Sequence, residues 1–234
     1  MLDQAFDALK TYDWGADPST LTAIDDAIVA AHGDAEIRGQ LEARLAAVLK
    51  TDASRDAKDF VCRKLMSVGT AASVPTLAEL LPQKDHSHMA RYALERILAP
   101  EAAQALRDAL AGLTPELQVG VIGSLGVRRD EASVPALAGL LSAADAAVAR
   151  AAAFALGNIR TLDAAKALAD AEPASTEAQT AVADASLACA EGLLAGGKNT
   201  EALGIYKGFI GENQPKHVRL AATRGMLACA GKSQ

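Results

Sequence analysis

The stretch VARAAAFALGNIRTLDAAKAL, Val148 to Leu168, holds two leucines, Leu156 and Leu168, twelve positions apart, each in an alanine-rich apolar run and separated by a short polar turn. The same pair recurs up the chain as Leu65 with Leu77, Leu94 with Leu106 and Leu125 with Leu137, the first leucines standing 29, 31 and 31 residues apart. A period near 30 with two apolar helices per unit marks a hairpin that cannot bury its own hydrophobic stripe and must stack on its neighbours. The expected fold is all-α, a right-handed α-solenoid of stacked helical hairpins.

Agreement between the units extends beyond leucine. Eight to ten residues after the first leucine, Ser73-Val74-Pro75 recurs as Ser133-Val134-Pro135, within ASVPTLAELL and ASVPALAGLL. Proline there predicts a helix start, where its missing N–H costs nothing. Gly69, Gly126 and Gly157 follow the first helix and are predicted to stop it, while Asp85 and Asp145 are predicted to cap the next helix.

Half of the 234 residues are hydrophobic but only 3% are aromatic. The core is therefore expected to consist of Ala, Leu and Val, a mixture that favours close-packed helices. The net charge of −6 is uneven, with acids outnumbering bases two to one over residues 1–60 and the two balancing over 61–234. An acidic chain argues against a polyanionic partner, which needs clustered Lys and Arg. No apolar run is long enough to span a bilayer, and the acidic opening MLDQAFDALKTYDW does not read as an export leader. Cys62, Cys189 and Cys229 are odd in number and widely spaced, as expected of buried free thiols in a reducing compartment. Location in the cytoplasm is the expectation, with no membrane partner.

The run Val148–Leu168 resembles a HEAT repeat of the phycobilin-lyase type, in which an arginine-bearing alanine helix leads through an ALGNI-like turn to a leucine-rich helix. Ala90–Leu106 fits the same template with Glu95 at the glycine position, and Gly123–Leu137 fits with an added arginine pair. The likeness covers residues 54–172. Thr200–Ile210, TEALGIYKGFI, is similar to a tetratricopeptide helix behind a turn at Gly196-Gly197. A single solenoid domain over 1–234 is expected, with an N-terminal helical cap at 1–53, HEAT-like repeats at 54–175 and C-terminal helical hairpins at 176–234. The last repeat reads as incomplete: VRLAATRGML places its reference position at Met226, and the partner leucine would fall beyond residue 234.

Signals for chemistry are weak. GLLAGGKNT, Gly192–Thr200, has the glycine and lysine spacing of a phosphate-binding loop, but Asn199 stands where a magnesium-binding hydroxyl is required and the flanking segments read as helices. His86 and His88 are two residues apart, so a helix points them in different directions, and no further ligand follows at metal-binding spacing. Gly123-Ser124-Leu125-Gly126 has neither the spacing nor the preceding strand of a nucleophile elbow. No catalytic residue, metal ligand or cofactor is assigned, and the chain is expected not to be an enzyme.

What remains is a basic series along the first helices and the turns after them, including Arg128, Arg129 and Arg160. Its binding candidates are Arg63, Lys64, Arg91, Tyr92, Arg96 and Arg150, on the helix that the HEAT resemblance implies lines the concave surface. Arg91 with Tyr92 suits an interface hot spot. The leading expectation is a scaffold that binds an unidentified protein partner and no nucleic acid. The alternatives are a HEAT-like nucleic-acid-binding or DNA glycosylase-type protein, or a relative of chromophore lyases. Val218, Leu220, Met226 and Leu227 are expected to form a sticky end, joining a second copy or a continuing polypeptide.

Overall fold

The computed structural model describes residues 1–231, and the last three residues of the 176–234 segment lie outside the described residues. All regular structure among the described residues is helical. The chain divides into two compact units, Met1–Leu117 and Gln118–Gln234.

The first unit contains α1 (Leu2–Leu9), α2 (Thr22–Ala30), α3 (Ala35–Leu49), α4 (Arg55–Val68), α5 (Val74–Ala78), α6 (Ser87–Arg96) and α7 (Pro100–Ala109). Within it α3 packs on α4, α4 on α6, and α5 on both α6 and α7. The boundary falls inside α8 (Pro115–Arg128). The second unit continues with α9 (Val134–Leu140), α10 (Ala146–Ile159), α11 (Leu162–Ala169), α12 (Thr176–Ala195), α13 (Asn199–Lys207) and α14 (Lys216–Gly231). There α10 packs on α12, α12 on α11 and α13, and α13 on α14.

The repeat is real in three dimensions. Leu65, Leu94, Leu125 and Leu156 are fully buried near the ends of α4, α6, α8 and α10, and Leu77, Leu106, Leu137 and Leu168 are buried in the second helices. Each is the apolar centre of its hairpin. Pro75 and Pro135 both sit in the first turn of their helices, preceded by a short 3-10 turn ending at buried Ser73 or Ser133. The stacking of helical hairpins in each unit is the architecture of an all-α solenoid.

Two of the three glycines predicted as helix stops do something else. Gly69 does end α4, but Gly126 and Gly157 lie inside α8 and α10. A Cβ on Gly126 would stand 2.8 Å from the Cα of Ala155, and one on Gly157 would stand 2.9 Å from the Cα of Ala185. They let neighbouring first helices touch backbone to backbone. The helices end three residues later, at Arg129 and Arg160, which adopt positive φ values of 52° and 60°. A left-handed residue there turns the chain sharply into the second helix, a place usually held by Gly or Asn.

Asp145 caps α10 as expected, accepting from the amides of Ala147 at 2.9 Å and Val148 at 3.1 Å. Asp85 does not cap α6. The amides of His86 and Ser87 both donate to the carbonyl of Gln83, so that turn runs into the helix without a side-chain acceptor.

A buried carboxylate pins the first repeat to the helix before it. Glu42 on α3 is 3% exposed and accepts from the amides of Thr70, at 2.7 Å, and Ser73, at 3.1 Å, and from both of their hydroxyls. The Thr70 amide stands at the start and the Ser73 amide at the end of the 3-10 turn ahead of α5, so Glu42 braces from another helix the turn that the Thr70 hydroxyl caps by accepting from the Ala72 amide at 3.2 Å. The negative charge of Glu42 meets the positive end of the turn.

Candidate functional site

In the first unit the predicted binding residues gather on α4 and α6, which pack against each other. Arg63 and Arg96 are exposed, and Tyr92 is 41% exposed. Tyr92 is held rather than loose: its ring meets that of His88 edge to face at 4.6 Å, and Arg91 Nη2 donates to His88 Nδ1 at 3.3 Å. His88, Arg91 and Tyr92 lie within one helical turn of α6, where spacings of three and four bring side chains together. The half-buried Arg91 guanidinium has its pKa lowered by desolvation, against the opposing fields of Glu95 and Tyr92. A partly desolvated arginine beside an exposed aromatic is the composition of an interface hot spot.

Charges on the neighbouring helix complete this face. Asp59 on α4 has its pKa raised by desolvation, although Arg55, Arg63 and His86 pull it down. His86 is pushed below the ordinary histidine range, first by desolvation and then by Lys58. Asp59 of α4 and His86, just ahead of α6, thus feel each other's charge, each partly removed from water.

Lys64, a third candidate on α4, is already engaged. It is ion-paired with Asp25 of α2, and its Nζ stands 4.5 Å from the Phe60 ring centroid. Its role is to tie α4 to the N-terminal helices. Arg150 is exposed on α10 and belongs to the second unit, as do Arg128, Arg129 and Arg160. Arg129 and Arg160 are helix-ending residues, and the stem of Arg160 covers Gly192, whose Cβ would lie 2.7 Å from that of Arg160.

The four C-terminal candidates separate by the side of α14 they occupy. Val218 is 1% exposed and joins a core with Leu187, Leu194 and Tyr206, and Met226 is partly buried against the same core. Leu220 and Leu227 remain 60% and 70% exposed. Of the four, only the two leucines are left exposed, because α12 and α13 cover the opposite stripe of α14.

The sequence pattern gave no warning of a cleft of about 730 Å³ in the second unit, between α11, α12, α13 and the start of α14. Leu168, Ala183, Ile205, Phe209 and Val218 line it with the polar Gln179 and Gln214. The one available signal is the long connection from Gly208 to Pro215, which keeps α13 and α14 apart on that side. The GLLAGGKNT segment joins two helices, α12 and α13, through a turn with Gly197 at φ 79°. All three cysteines are buried and free, and burial pushes the thiols of Cys62 and Cys189 up to about 12 and about 11. Among the described residues, no cluster of three His, Cys, Asp or Glu side chains is placed to hold a metal ion, and no helix is long and apolar enough to cross a membrane.

No protein-family model matches the chain, and no curated protein matches it. Among solved structures it is similar to human deoxyhypusine hydroxylase in complex with glycerol, at 16% identity over 98% of this chain and 96% of that one, with a TM-score of 0.35. It is also similar to an engineered protein, at 20% identity over 99% and 98% of the two chains, with a TM-score of 0.31. The first match corrects the expectation that this chain is not an enzyme, because a protein paired with it over nearly its full length is one. Fold does not determine chemistry, and an all-helical repeat architecture excludes none. Likenesses this distant transfer neither a reaction nor a residue.

Proposed function

We propose that this chain binds a protein partner through the face of α4 and α6 that carries Arg63, Arg91, Tyr92 and Arg96. The observation that carries this reading is the ordered His88–Arg91–Tyr92 array, an aromatic ring and a guanidinium held in place on the surface before any partner arrives. Preorganised Tyr and Arg side chains lose little freedom on binding, which is where hot-spot affinity comes from. The excess of bases over acids among Arg55, Lys58, Asp59, Arg63, Arg91, Glu95 and Arg96 fits a partner segment with acidic side chains. Arg150 extends the same reading to the first helices of the second unit. The overall charge of −6 supports a protein over a nucleic acid. On the run Val148–Leu168 we assign the repeats to the phycobilin-lyase HEAT type, with α12 and α13 as a tetratricopeptide-like hairpin, working in the cytoplasm.

Affinity capture from source lysate with wild type, Arg91→Glu and Tyr92→Ala, read by mass spectrometry, tests the reading. A protein retained by the wild type and lost with both variants is expected. Capture that ignores both substitutions, or an oligonucleotide dissociation constant below about 1 μM near physiological salt, would overturn it.

A further inference from the structure

We propose that the outer face of α14 docks on α2 and the α2–α3 turn of a second copy of this chain. Independently of the α4–α6 reading, this inference starts from the amphipathic design of α14. Val218, Ala222, Gly225 and Cys229 face the core, and the opposite stripe is Lys216, Leu220, Thr223 and Leu227, with Arg224 beside it. That helix has two large exposed leucines, the bases Lys216, Arg219 and Arg224, and no acid. Beside the stripe, α13 and α14 enclose a recess of about 440 Å³ lined by Leu203, Met226 and Leu227.

A surface with the opposite charge and the same spacing exists in the first unit. Along α2 the exposed stripe is Thr22, Asp26 and Val29, and α2 holds no base. Val29 is 74% exposed. The cap and first turn of α3 add exposed Asp34, Glu36 and Ile37, the last 48% exposed. Each face is thus an apolar centre whose rim is dominated by one sign of charge, Asp25, Asp26, Asp34 and Glu36 against Arg38 on the one and Lys216, Arg219 and Arg224 on the other, and the dominant signs are opposite.

Charge selects a second copy in this arrangement over the alternatives. Pairing α14 with its own equivalent would set Lys216 and Arg224 against like charges, which disfavours a two-fold interface. The acidic face that complements it is on the same polypeptide, so every copy offers both halves of a head-to-tail contact. Repulsion between chains of net charge −6 opposes association, and the local pairing must exceed it; the contact therefore weakens as salt rises.

Sedimentation velocity over a concentration series, at low and high salt, decides the matter. The wild type is expected to associate reversibly, more weakly at high salt. Asp26→Arg with Glu36→Arg, or Lys216→Glu with Arg224→Glu, should each weaken association by about tenfold or more. All four reversals in one chain should restore it. These positions are exposed, and circular dichroism checks that each variant keeps its helices. A wild type that stays monomeric throughout overturns the proposal. So does association that Leu220→Glu abolishes while the Asp26 and Glu36 reversals leave it unchanged.

Discussion

The ring of Tyr206 lies directly on Gly225: a Cβ at residue 225 would stand 2.2 Å from the ring's Cζ. This contact seats α14 on α13, because Tyr206 is the largest fully buried side chain of its core and only a glycine opposite leaves room for it. Gly225→Ala should destabilise the protein by about 1–3 kcal/mol, since the clash is with a ring that has no space to move into. Urea unfolding followed by circular dichroism measures the change. A neutral or stabilising result would mean that α14 shifts freely on α13.

Two glycines three residues apart in α8 should respond in opposite directions. Gly126→Ala forces a methyl against the Ala155 backbone and should cost about 1–3 kcal/mol, whereas Gly123 has nothing within 4 Å of its Cβ position. Gly123→Ala should stabilise by about 0.5–1 kcal/mol through helix propensity alone. Thermal melts of the two variants compare them directly. Equal effects would refute the close approach of α8 and α10.

Removing the Glu42 carboxylate takes the acceptor from the Thr70 amide and from the buried Ser73 hydroxyl, and leaves the Ser73 amide only the Thr70 carbonyl at 3.2 Å. Glu42→Ala should cost about 1–3 kcal/mol by chemical denaturation, the penalty of hydrogen bonds lost in a largely buried place. Hydrogen exchange at the Thr70 and Ser73 amides should speed up more than exchange in α10. Unchanged exchange at these amides would show that another group braces the turn.

Burial pushes the Tyr206 phenol from its ordinary 10.0 up to about 12, with Glu191 and Cys229 adding to the effect. A raised folded-state pKa means that stability is intact below pH 10 and is lost as the unfolded chain ionises while the folded one resists, between pH 10 and about 12. Lysines titrate in the same range, so the readout is a difference. The melting temperature of Tyr206→Phe should fall less steeply than that of the wild type over this window. Parallel curves would show that the phenol ionises as freely in the folded state as in the unfolded one.

Part of the proposed binding face was readable in the sequence and part was not. Arg91 and Tyr92 stood out because their residue types and adjacency carry the signal, but His88, which holds both, read only as half of a failed metal pair. Lys64 shared the periodicity of Arg63, yet its engagement with Asp25 depends on a contact between α2 and α4 that no local pattern encodes. Val218 followed the first-helix pattern and gave no sign of whether α12 and α13 would cover it.

The leucine period, the helix starts at Pro75 and Pro135 and the cap at Asp145 were determined by sequence alone, because each depends on side-chain spacing or backbone chemistry within a few residues. Gly126 and Gly157 carried a different kind of information. A glycine near a helix end reads as a stop from local preference, and only the arrival of Ala155 and Ala185 shows it to be a contact point, with the helix carried on to Arg129 and Arg160. The cradle around Glu42, the 730 Å³ cleft and the exposure of Leu220 and Leu227 were likewise decided by tertiary structure. Each joins or separates residues far apart in the chain, and burial belongs to the packed assembly of helices rather than to any segment of it.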